Sequence, residues 1–215
     1  IVNCYDSDII QQLEEYDTLL WHFNDSNYKD ALFAKQLLFS LEQAGKKVYP
    51  DSNSCWHFDD KLGQKYLLES IGAPFVNTHV FYDKKTALNW VETADFPKVF
   101  KLRGGVSGAN VSLAKTKGEA KKKIKKAFGK GFSQFNGIGH SKDRLQRFKS
   151  GKDSWTNLLK AFGRIFIHPE YAKMHPREKG YVYFQDFIPD NSFDIRVIVV
   201  GNKAAAERRM VRKND

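Results

Sequence analysis

The chain has 215 residues, 41% of them apolar, enough to bury a substantial core in one lobed domain or in one domain with part of another. No run of about 18 apolar residues is present, which speaks against a membrane span. The formal charge of +10 makes a polyanion worth weighing as a partner, subject to where the charges sit.

Ile1-Val2-Asn3-Cys4 carries neither a basic leader nor a cleavage-like site, and the missing initiator Met leads us to expect an absent upstream part. Thr18 to Phe23 reads as a buried strand, Tyr28 to Ala44 as a helix stopped by Gly45, and Lys47 to Tyr49 as a short strand. This rhythm matches the latter half of a doubly wound α/β module, truncated at its beginning. Cys4 and Cys55 lie far apart with no CxxC or His pattern. Buried thiols in a reducing, cytoplasmic setting are therefore expected, rather than zinc or a disulfide framework.

Asp59 is placed to cap a helix running to about Ile71, with Leu62, Tyr66 and Ile71 on its inner face and Gly72 ending it. Phe75 to Tyr82 has strand character and Lys84 to Glu92 helical character. Pro97 to Leu102 is then a strand that delivers Lys101 to Arg103-Gly104-Gly105-Val106-Ser107-Gly108, and Val111 to Ala114 returns as its hairpin partner. A cation beside backbone N–H groups in a loop short of Cβ atoms suits a polyphosphate. The lysine precedes the glycines and no Gly-Lys-Ser/Thr follows, so this is neither a P-loop nor a dinucleotide fingerprint.

Lys115, Lys117, Lys121, Lys122, Lys123, Lys125, Lys126 and Lys130 surround Ala120, Ile124, Ala127 and Phe128, which recur at helical spacing. The pattern is that of a helix with a narrow buried stripe and a lysine-covered wet face, without the interleaved aromatics of a nucleic-acid surface. Residues 129–154 turn rich in Gly, Ser, Lys and Arg, as in a mobile connection. Trp155, Leu158, Leu159 and Phe162 then resume helical spacing, and Tyr181 to Phe187 reads as a strand. Phe193 to Val200 and Lys203 to Met210 flank Gly201-Asn202, a two-residue hairpin signal. The six histidines are scattered without ligand spacing, and Trp21, Trp56, Trp90 and Trp155 are read as packing residues.

In order along the chain stand Asp60-Lys61, Lys101 before its glycine loop, Gln185-Asp186-Phe187-Ile188-Pro189, and Phe193-Asp194-Ile195-Arg196-Val197. From about Asp59 to Asp215 this series resembles the ATP-grasp superfamily of carboxylate-amine ligases, closest in motif to the ribosomal-protein glutamate ligases and their relatives. The resemblance implies an α+β / α/β fold in which two α+β lobes grip ATP, preceded by part of the doubly wound module. It implies residues 1–58 as that partial module, 59–184 as the first lobe with its lid hairpin and the insertion 129–154, and 185–215 as linker and incomplete second lobe.

By the same resemblance, Lys61 and Lys101 contact the nucleotide, and Gly104, Gly105, Ser107 and Gly108 form the lid over the phosphates. The stretch Gln185 to Ile188 reads adenine through the Asp186 carbonyl and the Ile188 N–H, with Gln185 departing from the Glu of some distant relatives. Asp194 receives the ribose hydroxyls. Arg209, favoured over Arg208, is the catalytic cation facing the phosphates, because strand alternation admits only one of the pair. The implied chemistry is ATP-dependent ligation of a carboxylate to an amine, on small-molecule or peptide substrates, through an acyl phosphate. Mg²⁺ is implied as well, but its ligands, an acid followed by Glu-x-Asn, are absent from this chain, so no metal residue is named and a fragment inactive alone is expected. An ATP-grasp kinase without amide formation and a basic polyanion-binding or nucleic-acid-binding module stand as alternatives, while oligomeric state stays open.

Overall fold

The structure is a computed structural model that describes residues 1–25, 27–104, 110–133 and 176–211. The elements run α1 (Ile9–Gln12), β1 (Thr18–Leu20), α2 (Tyr28–Gln43), β2 (Lys47–Tyr49), α3 (Ser52–Cys55) and α4 (Lys61–Ser70). They continue with β3 (Thr78–Phe81), α5 (Lys84–Thr93), β4 (Lys98–Lys101), β5 (Val111–Ala114) and α6 (Lys117–Ala127), then β6 (Val182–Asp186), β7 (Phe193–Val200) and β8 (Lys203–Met210).

The first part is a parallel β1-α2-β2 unit, with Leu19 opposite Val48. Asn27 caps α2 by accepting from the Lys29 N–H, and Gly45, at φ +81°, ends it in a conformation that L side chains rarely adopt. Ala34, Leu37, Leu38 and Leu41 recur at helical spacing and close over Leu19, Phe23 and Cys55 to form one buried cluster. Both cysteines are buried free thiols, and burial pushes each thiol pKa up. The expected strand to Phe23 is shorter than its apolar run: pairing with β2 ends at Leu20, where Tyr49 leads into Pro50 and the β2 edge stops.

The second part is a four-stranded antiparallel sheet in the order β3-β6-β4-β5. Asp83 caps α5 from the Thr86 N–H at 2.8 Å. Thr116 caps α6 from the Glu119 N–H, while Glu119 reaches back to the Lys115 N–H at 2.7 Å, a variant of the capping box. Both helices pack on one face of the sheet, where Ala87, Val91, Ala120, Ile124 and Ala127 meet Phe100, Val182 and Phe184 in a second buried cluster. The stripe expected on α6 is the one observed, with Phe128 packed against the cluster rather than within it.

Alternation along the strands then decides the chemistry of the opposite face. Phe100 and Lys98 of β4 point to the helices, so Val99 and Lys101 point away from them. Register puts Lys101 opposite Tyr183 and Val99 opposite Gln185, and Gln185 opposite Thr78 on the other side. A lysine, a tyrosine, a glutamine and a threonine therefore share the face that α5 and α6 leave uncovered.

Helix α4 corrects two expectations. Asp60, not Asp59, is its cap, and Asp59 instead takes φ +51° just before it. Tyr66 and Ile71 are exposed rather than inward, and Lys65 is the buried residue of the helix. The reason is that no residue of α4 enters either apolar cluster, so an apolar inner face has nothing to pack on. Lys65 lays its stem along the helix, with Nζ 2.5 Å from Glu69 and 4.6 Å from the Tyr66 ring centroid. Of the tryptophans, Trp21 and Trp90 pack against the two clusters, whereas Trp56 is about half exposed. Trp155, the helical spacing that follows it, and most of the expected connection 129–154 lie outside the described residues.

The hairpin β7-β8 has the expected bounds, and Gly201 supplies the positive φ of its turn. Its strands pair Phe193 with Met210 through to Val200 with Lys203.

Candidate nucleotide site

The site is built where α4 begins and β4 ends. The Lys61 N–H donates to the Arg103 carbonyl at 3.0 Å, and the Lys61 ammonium reaches the same oxygen at 3.5 Å. Asp60 ties the two elements together. Its Oδ1 accepts from the Leu62 and Gly63 N–H groups at 3.0 Å each, while its Oδ2 accepts from Arg103 Nε at 2.9 Å and Nη2 at 2.6 Å. Burial pushes the Asp60 carboxyl up, but the Arg103 guanidinium and the two helix N–H groups outweigh it and hold the pKa below the usual value.

The Arg103 N–H donates to the Tyr181 hydroxyl at 2.5 Å, and that hydroxyl donates to Glu178 at 2.9 Å. Burial and the Glu178 carboxylate drive the Tyr181 pKa upward, so the hydroxyl stays protonated and able to donate. On the returning side, Leu102 donates to the Asn110 carbonyl at 3.0 Å, and Asn110 takes φ +65°. The stem of the glycine loop is thus clamped from three sides. Gly104 belongs to that stem, with its carbonyl 3.5 Å from the Asn110 amide. Gly105, Ser107 and Gly108, expected in the lid, lie outside the described residues.

Lys101 points from the uncovered face of the sheet and donates to Gln185 Oε1 at 2.5 Å. Burial lowers its pKa, and the nearby Lys61 charge lowers it further; burial lowers that of Lys61 as well. The structure therefore brings Lys61, Lys101, Gly104 and Gln185 together at one end of the sheet. Lys61 and Lys101 repel one another, while the Asp59, Glu178 and Asp60 carboxylates act on Lys61 in the opposite sense; two half-buried ammonium groups at the loop stem suit phosphate oxygens.

The other expected site residues stand apart from this cluster. Asp186 follows Gln185 but points to the helix-covered face, where Lys98 donates to it at 2.5 Å, Asn77 Nδ2 at 3.3 Å, and His79 lies 3.7 Å away. The Lys98 ammonium holds the Asp186 carboxyl below its usual range. Its side chain is thus committed to the sheet, and its N–H donates to the Asn77 carbonyl at 3.0 Å. Ile188 is exposed. Asp194 and Arg209 are cross-strand partners on the hairpin and bind each other through Arg209 Nε and Nη2, which depresses the Asp194 pKa. Arg208 lies on the opposite face, with its guanidinium 4.4 Å from the Phe193 ring centroid.

Asp60, Arg103, Tyr181, Glu178 and Thr78 support the site without having been singled out as site residues. The first two had a signal, a cap position and an arginine next to Gly104. The others are joined to it only by tertiary pairing.

No protein-family model matches the chain, and no curated protein matches its sequence. Among solved structures, it resembles a RimK domain protein ATP-grasp from Sphaerobacter thermophilus, with TM-score 0.50 and 16% identity over 91% of this chain and 56% of that one. It also resembles N5-carboxyaminoimidazole ribonucleotide synthetase from Thermotoga maritima, with TM-score 0.51 and 18% identity over 94% of this chain and 38% of that one. The chain thus spans little more than half the length of the first and less than half of the second. At these identities the likeness is one of architecture, and the architecture, α+β with an antiparallel sheet after a parallel α/β unit, is the ATP-grasp fold.

Proposed function

We propose that this chain is the nucleotide-gripping part of an ATP-dependent carboxylate-amine ligase. The observation that carries the reading is the pair Lys61 and Lys101, drawn together at the stem of a glycine loop on an ATP-grasp fold. Their charges would neutralise the phosphates and stabilise charge developing on the transferred phosphoryl oxygens. Gly104, Gly105, Ser107 and Gly108 would close over them. The Asp186 carbonyl and Ile188 N–H would read adenine, with the Lys98–Asp186 ion pair fixing that stretch of backbone. Asp194 would receive the ribose hydroxyls on the hairpin face it shares with Arg209, and Arg209 would face the phosphates after releasing the Asp194 carboxylate that it binds in the structure.

In the reaction, a substrate carboxylate oxygen attacks the γ-phosphorus and ADP leaves. An amine, losing a proton, then attacks the acyl carbon and expels inorganic phosphate. No protein nucleophile is required, so the protein's part is positioning and charge stabilisation. Among the described residues no group of three or more His, Cys, Asp or Glu could hold a metal ion. The substrates would be a small-molecule or peptide carboxylate and an amine.

The domain division at 58 is supported by two buried clusters that share no residue, one ending at Cys55 and the other starting at Ala87, whereas the division at 184 falls within strand β6. A cytoplasmic setting is supported by the two buried free thiols. Among the described residues, no helix is long and apolar enough to cross a membrane.

The test is an ADP and ATP titration by calorimetry on the 215-residue chain, with Lys101→Ala beside it. Saturable binding by the wild type and none by the variant is the expected result. Equal affinity in the two, or no binding by the wild type, overturns the assignment.

A further inference from the structure

We infer that Tyr181 is the positioning residue for the stem of the glycine loop, its hydroxyl aimed by Glu178 so that it holds the Arg103 backbone against Lys61. This rests on reading that loop as the one that closes over phosphates. Tyr181 is only 8% exposed, and its hydroxyl has a single proton to give. The Arg103 N–H, at 2.5 Å, is a donor and can meet only an oxygen lone pair. The Glu178 carboxylate, at 2.9 Å, accepts and therefore takes the proton. Burial and the Glu178 charge keep the phenol protonated, so the relay runs in one direction, from Arg103 through Tyr181 to Glu178. The Arg103 carbonyl is taken as well, by the Lys61 N–H at 3.0 Å and the Lys61 ammonium at 3.5 Å. Arg103 is thus held at both main-chain polar groups, one residue before Gly104.

Glu178 is itself anchored. Its N–H and carbonyl both pair with Phe132 at 2.8 Å, and the neighbouring Arg177 guanidinium donates to the Lys130 and Gly131 carbonyls at 2.6 and 2.9 Å. On its other side the Gly180 N–H donates to the Ala127 carbonyl at 3.0 Å, at the end of α6. Ala127 lies in the second buried cluster, so the loop stem is joined to that core through α6, Glu178 and Tyr181 as well as through β4. The charged side chains around the relay are Arg103, whose guanidinium Asp60 holds, and Lys61, on which Asp59, Glu178 and Asp60 all act. Glu178 therefore offers both an acceptor oxygen and a negative charge. Aiming Tyr181 requires only the oxygen, whereas balancing Lys61 requires the charge.

The experiment is amide hydrogen exchange by NMR on the ¹⁵N-labelled full chain without ligand, with ADP affinity measured by calorimetry on the same samples. The Phe184 amide, in an interior strand of the sheet, serves as the reference for global opening. In Tyr181→Phe the Arg103 amide should exchange about tenfold faster relative to Phe184, and ADP should bind about tenfold more weakly. Glu178→Gln keeps an acceptor oxygen and removes the charge, so both readings should stay within about twofold of wild type. In Glu178→Met, which keeps neither, both should move as in Tyr181→Phe. A side chain that only fills space would move the Arg103 and Phe184 amides together. An unchanged ratio of the two in Tyr181→Phe overturns the inference whether or not nucleotide binds, and so does a Gln variant that behaves like the Met variant. A loosened Arg103 amide with unchanged ADP affinity overturns it too. Should Tyr181→Phe fail to fold, the two Glu178 variants decide on the same readings. A loosened Arg103 amide in a chain whose wild type binds no ADP upholds the positioning role and overturns the nucleotide reading instead.

Discussion

Asp60 shows how much one side chain can organise. One oxygen caps α4 and the other holds Arg103, so the helix that presents Lys61 and the strand that presents Lys101 start and stop against the same carboxylate. Replacing it with Ala should cost about 1–2 kcal/mol of stability, as for a lost helix cap with an attached charged hydrogen bond, read by urea denaturation. Because the folded-state carboxyl lies below its ordinary value, its contribution is complete above the unfolded carboxyl pKa of about 4 and is lost as pH falls through the folded one. The stability gap between wild type and Asp60→Asn should therefore hold from pH 7 down to about 5 and narrow toward pH 3. A gap constant to pH 3 would show that the carboxylate's charge does nothing at the stem.

At the scale of elements, local patterns were legible wherever they sufficed. The hairpin β7-β8, strand β5 and the stripe of α6 follow from alternation, a turn dipeptide and helical spacing, and the structure has them as expected. Lys101 beside a glycine loop was legible for the same reason. What sequence could not supply was register: nothing local says that β6 inserts between β3 and β4, which is what sets Gln185 beside both Thr78 and Lys101. Helix α4 departs from its expected inner face because its periodicity implies an apolar partner that the described residues do not provide. Spacing gives the lysines of α6 as a wet face but not their partners: Lys117 donates to the Glu92 carbonyl, Lys121 pairs with the Glu92 carboxylate and Lys123 donates to Ser112. The glycines separate local from tertiary demands in a testable way. Gly45 has φ +81° and open space around its missing Cβ, so Gly45→Ala should cost only the backbone strain, about 1 kcal/mol. Gly131 has φ +68° and would bring a Cβ to 2.8 Å from the Glu178 carbonyl, beside the bridge that pairs Phe132 with Glu178. Gly131→Ala should therefore cost clearly more, about 2–3 kcal/mol. Equal losses by chemical denaturation would mean that the Gly131 contact relaxes at no cost.

At the scale of the molecule, the described buried apolar side chains gather in two clusters that share no residue: one around Leu38 under α2, the other around Phe184 beneath α5 and α6. Phe184 is fully buried, with ring centroids of Trp90 and Phe100 5.3 and 5.4 Å away, while Lys101 and Gln185 sit on the reverse of the same sheet. A ligand held by those two residues is coupled to the second cluster through two strands and, among the described residues, to the first through the chain around α3 and α4. Nucleotide should accordingly stabilise one cooperative unit and not the other. In differential scanning calorimetry, Leu38→Ala should lower one transition by about 2–5 kcal/mol and Phe184→Ala the other by about 3–5 kcal/mol. ADP at about a hundred times its Kd should add about 2.7 kcal/mol to the transition that Phe184→Ala lowers and leave the Leu38 transition in place. A single transition moved by both substitutions and by ADP would show that the parallel unit and the antiparallel sheet fold as one body, in which case the grip on nucleotide would extend to the core under α2.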